Sequence, residues 1–147
     1  MKVLFLDIDG VCNSKNTTYR RDGYIGIDPY MAFLVGNMVD DLDLKVVLSS
    51  SWRHLKEGVD EISKRVCPIF DVTGTGKYIK EEEEQGMHTI RGREIKAWLD
   101  EHPDVEKYAI LDDDTDMLPE QFPYFFKTSW ETGVTPEVIK EVRKYFE

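Results

Sequence analysis

From one end of this chain to the other, short apolar runs alternate with segments of helical periodicity, a pattern that few folds accept. Val3 to Leu6 and Leu44 to Leu48 read as strands buried on both faces. Ile69 to Val72, Tyr108 to Leu111 and Tyr124 to Lys127 supply a third, fourth and fifth. Between them lie helices. Asp28-Pro29 is a helix start, followed by Tyr30, Phe33, Leu34 and Met38 at helical spacing. Leu55, Val59, Ile62 and Val66 predict the next, which Pro68 ends. Ile95, Trp98 and Leu99 predict another from about Arg91 to Pro103. Thr135-Pro136-Glu137 opens the last, with Val138, Ile139, Val142 and Phe146 on its apolar side. The expected fold is α/β: a Rossmann-like three-layer sandwich, a parallel sheet with helices on both faces. Residues 10–27 read as a polar loop or small flap, and residues 73–89, with the Glu81 to Glu84 run, as an exposed loop.

The 147 residues suit one domain spanning 1–147, without repeats or linkers. The net charge of -10 argues against a broadly basic face for nucleic-acid backbone, though not against a local positive site. Cys12 and Cys67 lack CxxC spacing, so neither a disulfide scaffold nor a zinc site is expected. The apolar run before Asp7 is too short for a signal peptide, and no stretch reaches transmembrane length. A cytoplasmic location is expected. The oligomeric state stays open, with a monomer favoured.

Three apolar runs stop abruptly at small polar or acidic residues: Asp7, Ser49, and Asp112 with Asp113. In an open parallel sheet, ligands bind beyond the carboxyl ends of the strands. These residues are therefore expected to meet in one crevice. Asp7 and Asp9 are two apart and point the same way if the strand continues; Gly10 then lets the chain turn tightly. Four carboxylates in one crevice repel each other strongly, and a hard divalent cation relieves that repulsion. Singly, each of these features is an ordinary loop, cap or turn. The specificity lies in their joint order.

In that order the chain resembles the haloacid dehalogenase-like (HAD) hydrolase superfamily. Val3-Leu4-Phe5-Leu6-Asp7-Ile8-Asp9-Gly10-Val11 is similar to its first motif, and Val46-Val47-Leu48-Ser49 to its second. Arg91 stands where the third motif usually has lysine, and Ala109-Ile110-Leu111-Asp112-Asp113 resembles the fourth in its paired-Asp form. The segments 49–53 and 91–99 look most like small HAD domains of phage-type and RNA-repair-associated proteins. The resemblance implies an HAD-like fold with a minimal cap and a phosphatase working through an aspartyl-phosphate. It makes Asp7 the nucleophile, Asp9 the general acid/base, Ser49 a phosphoryl hydrogen-bond donor and Arg91 a charge stabiliser. It places Mg2+ on Asp7, Asp9 (through its backbone carbonyl), Asp112 and Asp113, with Asp112 as ligand or just behind.

Arg93 and Lys96 rival Arg91, and Asp116 is a further candidate carboxylate. Arg53, at a helix opening just beyond Ser49, reads as a surface residue sooner than one that reaches substrate, and Trp52 and Trp98 as packing sooner than stacking platforms. His54, His88 and His102 show no ligand spacing. Tyr19, Arg20 and Arg21 lie in the loop that caps the site in relatives. The implied partner is a phosphorylated small molecule or a nucleic-acid terminus, with no membrane. Two other readings keep the same residues: a phosphoacceptor domain of the receiver type, and a catalytically silent metal- or nucleic-acid-binding module. Receivers lack an acid/base two residues beyond the nucleophile, so Asp9 favours the enzyme.

Overall fold

A computed structural model describes residues 1–74 and 90–147. The expected loop therefore lies largely outside the described residues, together with Glu81 to Glu84 and His88. Five strands form one parallel sheet: β1 (Lys2–Leu6), β4 (Lys45–Leu48), β5 (Asp71–Val72), β6 (Lys107–Asp112) and β7 (Phe125–Lys127), in the order β5-β4-β1-β6-β7. Two further short strands, β2 (Arg20–Arg21) and β3 (Tyr24–Ile25), make an antiparallel hairpin. The helices are α1 (Pro29–Leu42), α2 (Lys56–Arg65), α3 (Ile90–Asp100) and α4 (Pro136–Phe146).

The chain order explains the layers. From β1 through β4 to β5 the chain steps along the sheet in one direction, and right-handed crossovers put α1 and α2 on one face. The return to β6, on the far side of β1, reverses direction and puts α3 on the other face. One core cluster joins Leu4, Leu6, Val46, Leu48 and Leu111 to Val35 and Met38 of α1, Ile62 of α2 and Val142 of α4. The opposite cluster joins Val3, Phe5, Val47 and Ile110 to Ile95 and Trp98 of α3. This is the expected Rossmann-like sandwich. No described helix is long and apolar enough to cross a membrane.

Local chemistry sets the helix ends. The Asp28 carboxylate accepts from the backbone N–H groups of Tyr30 and Met31, with Pro29 in the first turn. Thr135 caps α4 in the same manner. The buried stripe of α1 differs from the expected one. Ala32, Val35, Met38 and Val39 face the sheet, whereas Tyr30 and Phe33 are 58% and 63% exposed. Two adjacent stripes of this helix are apolar, and the one that is buried carries the smaller Ala32 and Val35. Leu55 likewise precedes α2 as an exposed residue instead of joining its buried face.

Residues 10–28 hold nothing larger than the β2–β3 hairpin, in keeping with a minimal cap. The first half of that stretch is not a loose flap, however. Val11, Cys12, Asn13, Ser14 and Thr17 are buried, and Val11 and Cys12 belong to the core.

Candidate active site

The sheet ladders continue past the strand ends and position the site. Asp7 N–H donates to Leu111 O, Ser49 N–H to Leu6 O, and Thr73 N–H to Leu48 O. Strand alternation then decides direction. Val3, Phe5, Val47 and Ile110 pack on the α3 side, so two residues onward Asp7, Ser49 and Asp112 fall on that same side. Asp71 accepts from the Trp98 indole N–H of α3, which places Thr73 there too. The strand order reverses between β1 and β6, and this switch point is where such sheets bind ligands.

Asp7, Asp112 and Asp113 each offer a carboxylate oxygen, all within 4.8 Å of one another. Asp7 is only 5% exposed and Asp112 is fully buried. Burial pushes the Asp7 carboxyl well above the usual carboxylate range; the charge of Asp112 adds to that and Arg91 opposes it. Burial raises Asp112 as well, against the pull of Arg91. Arg91 Nη1 lies 2.6 Å from Asp112 Oδ2 and 3.5 Å from Asp7 Oδ2, and its Nε lies 3.9 Å from Asp116 Oδ2. Burial works against the Arg91 charge, but Asp112 and Asp7 more than offset it, so the guanidinium stays protonated. Lys96 instead pairs with Asp100 on the exposed side of α3, and Arg93 is half-buried on the same helix.

Two glycines make these approaches possible. Gly10 has φ +84°, and a side chain there would overlap the Asp113 carboxylate. Gly92 packs against the loop after β6, where a Cβ would come within 2.5 Å of Leu118 N and Gln121 Oε1. Gly92 N–H donates to Asp116 O, and the buried Gln121 amide donates to Gly92 O. The start of α3 is thereby fixed beside the end of β6, and Arg91 with it.

Asp9 is placed differently. It is exposed, and its carboxylate stands outside the three-carboxylate cluster. Its Oδ1 accepts from the Asn13 amide at 2.9 Å and the Trp52 indole N–H at 3.2 Å. Asn13 is completely buried; it also accepts from Gly10 N–H and donates to Gly26 O, holding the turn in shape. Sequence reasoning missed Asn13, since an Asn three residues beyond a glycine carries no signal of its own. It also placed Arg53 wrongly and saw only part of the role of Trp52. Trp52 packs against the core, as expected of a packing residue, but also presents its N–H to Asp9. Arg53 is no surface residue: its guanidinium donates to Ser49 O and Ser50 O and forms a buried ion pair with Glu94 at 2.7 Å. Trp98 is core, in edge contact with Phe5 and stacked on His102.

Among the described residues, Ser49 Oγ, Thr73 Oγ1 and Asp116 Oδ1 are buried without a hydrogen-bond partner. Buried polar atoms are rarely left so. Two orphan hydroxyls on neighbouring strand ends are suited to meet an anion's oxygens, and three crowded carboxylates are suited to a divalent cation. The acidic cluster thus fits a metal of the hard, oxygen-seeking class.

No curated protein and no solved structure is similar enough to match this chain. The family model for the HAD domain in Swiss Army Knife RNA repair proteins matches residues 3–139, from the first strand into the last helix and across every residue of the site. The chain belongs to that family of HAD domains.

Proposed function

We propose that this protein is a magnesium-dependent phosphatase that hydrolyses a phosphomonoester on a nucleotide or nucleic-acid end. The observation that carries the reading is the convergence of Asp7, Asp112 and Asp113 around one point, with Arg91 beside them and the unpartnered Ser49 hydroxyl on the same side of the sheet. The family description, which speaks of RNA repair, supports the choice of substrate.

In this reading Asp7 attacks phosphorus, and the bond to the leaving oxygen breaks as Asp9 protonates that oxygen. Water then attacks the aspartyl-phosphate, gives its proton to Asp9, and Asp7 leaves as carboxylate. Asp7 must be ionised to attack. Burial opposes this, while Arg91 favours it. Ser49 donates to a phosphoryl oxygen, and Arg91 stabilises charge that develops on the group in transfer. Asp7, Asp113 and the backbone carbonyl of Asp9 would hold Mg2+. Asp112, whose oxygens also accept from Arg91 and Asp114 N–H, would join as a ligand or stand just behind. Bound there, the ion supplies the charge cancellation that lets one anion approach another.

The test is phosphate release from nucleotides and from 3′- and 5′-phosphorylated oligonucleotides, with and without magnesium, by wild type and Asp7→Asn. Turnover that needs both the ion and Asp7 is expected. Silence across the panel, or equal rates from the variant, overturns the reading.

A further inference from the structure

Beside the phosphoryl site lies a cleft of about 710 Å³, a size usual for small-ligand pockets. Asp9, Arg21, Tyr24, Trp52, Leu55 and Trp130 are among its walls. Three of these six are flat aromatic residues, and a fourth is a guanidinium already stacked 5.1 Å above the Trp52 ring. Tyr24 is 76% exposed and Trp130 39%, with no aromatic partner for either among the described residues. The cleft opens on Asp9, the residue that serves the leaving oxygen in the reading above. Whatever is attached to that oxygen must therefore lie in or beside it.

We infer that this cleft is the subsite for the leaving nucleoside, holding its base by stacking among Trp52, Trp130, Tyr24 and Arg21. The inference rests on the proposed phosphatase reading for which side of phosphorus faces the cleft. A base entering there meets the Trp52 indole or the guanidinium lying on it, and both are planar stacking partners. Stacking is indifferent to base identity, because every base has a π-face. Stacking of this kind distinguishes nucleosides from aliphatic alcohols. Trp52 takes part through two surfaces: its edge holds Asp9, and its face belongs to the cleft.

Binding tests this without turnover. Asp7→Asn protein is titrated calorimetrically with adenosine 5′-monophosphate, adenosine 3′-monophosphate, ribose 5-phosphate, O-phosphotyrosine and adenosine. At least one of the two nucleotides is expected to bind about tenfold tighter than ribose 5-phosphate, the scale of one stacked base. Trp130→Ala and Tyr24→Ala, added to that background, are expected to shrink the preference to about twofold. Both side chains are exposed enough for the fold to survive their loss. Equal affinity for the nucleotides and the sugar phosphate overturns the inference, whatever the phosphatase panel shows. Phosphotyrosine binding as tightly as the better nucleotide overturns it too, in favour of a phosphoprotein. If no phosphate is ever released but adenosine binds and loses affinity in both variants, the subsite stands and the phosphatase reading falls.

Discussion

Asp7 and Asp9 stand two residues apart, yet they occupy opposite kinds of surroundings. Asp7 sits at the end of a central strand, 5% exposed, between two other carboxylates and a half-buried guanidinium. Asp9 stands at the surface, held by one amide and one indole at the edge of an aromatic cleft. The floor of the site is fixed by two parallel ladders and cannot move without unpicking the sheet. The mouth is fixed by side chains on loops and a two-residue hairpin. Burial also makes Asp7 hard to ionise.

The sharpest way to test that contrast is to neutralise the floor. On the proposed mechanism, Asp7→Asn is expected to lower turnover by at least about 10³-fold, as loss of a nucleophile would. It is also expected to raise unfolding stability by about 1 kcal/mol in the presence of a chelator, since one of three crowded carboxylates is gone. A variant that loses activity and stability together would mean that the crowding is relieved in some other way. Arg91→Met is the opposite experiment. It leaves Asp112 buried without its cation, and denaturant unfolding is expected to show a loss of about 3 kcal/mol.

The pH dependence of stability follows from the same floor. The folded protein holds a proton on Asp7 more tightly than the unfolded chain, whose Asp titrates near 3.8. Below that value both states are protonated and the contribution is fully present. As pH rises through the folded pKa the native state must carry a buried charge, so stability falls. In cation-free protein the decline is expected to begin near pH 4. Asp7→Asn should flatten it without abolishing it, because burial also raises Asp112, Asp116 and Glu94. Added magnesium should restore stability most at the high-pH end. Urea midpoints measured across the range, with chelator and with magnesium, check both statements.

How much of this was legible in the sequence divides along the same line. The floor was readable because strand ends announce themselves: an apolar run stops, and an Asp or Ser begins. The carboxyl-end rule then put Asp7, Ser49 and Asp112 in one crevice, while the face of the sheet they share came from the packing of α3. The order of elements likewise pointed to the sandwich, whereas the strand order and its switch point came from the fold. The mouth was opaque because its residues owe their roles to tertiary contacts. Nothing local marks Asn13 as the residue that joins Gly10, Asp9 and Gly26. Trp52 at a helix-like spacing reads as packing, and only the fold brings its N–H to a carboxylate 43 positions away. Arg53 read as surface because its partner Glu94 lies 41 positions distant. In α1, two apolar stripes competed, and sequence alone could not say which one the sheet would take.

Asn13 and Trp52 test whether the mouth is positioned as the hydrogen bonds indicate. Asn13→Ala removes a buried acceptor and donors, and a stability loss of about 2 kcal/mol is expected. Asn13→Asp keeps an acceptor for Gly10 N–H but loses the donors to Asp9 and Gly26 O and sets a carboxylate against both. It should cost at least as much stability as Asn13→Ala and lower kcat about tenfold. A stability loss at unchanged kcat would show that Asn13 serves the fold alone. Trp52→Phe retains a smaller ring face and deletes the N–H to Asp9. A fall of a few fold in kcat with an unchanged preference for nucleotides is expected, which would separate the edge of this residue from its face.

The smallest effect is expected at the outer rim, and there the contrast with the floor is greatest. Tyr24 lies on the two-residue strand β3 with three-quarters of its surface in water. Removing its ring exposes little that was covered, so Tyr24→Ala should change unfolding stability by no more than about 0.5 kcal/mol. Phe5 on β1, fully buried and in edge contact with Trp98 and Tyr108, should lose about 3–5 kcal/mol on the same truncation. Thermal or urea unfolding of the pair measures both at once. A large loss for Tyr24→Ala would show that the hairpin is held by this ring, and that the mouth is as much a part of the folded core as the floor.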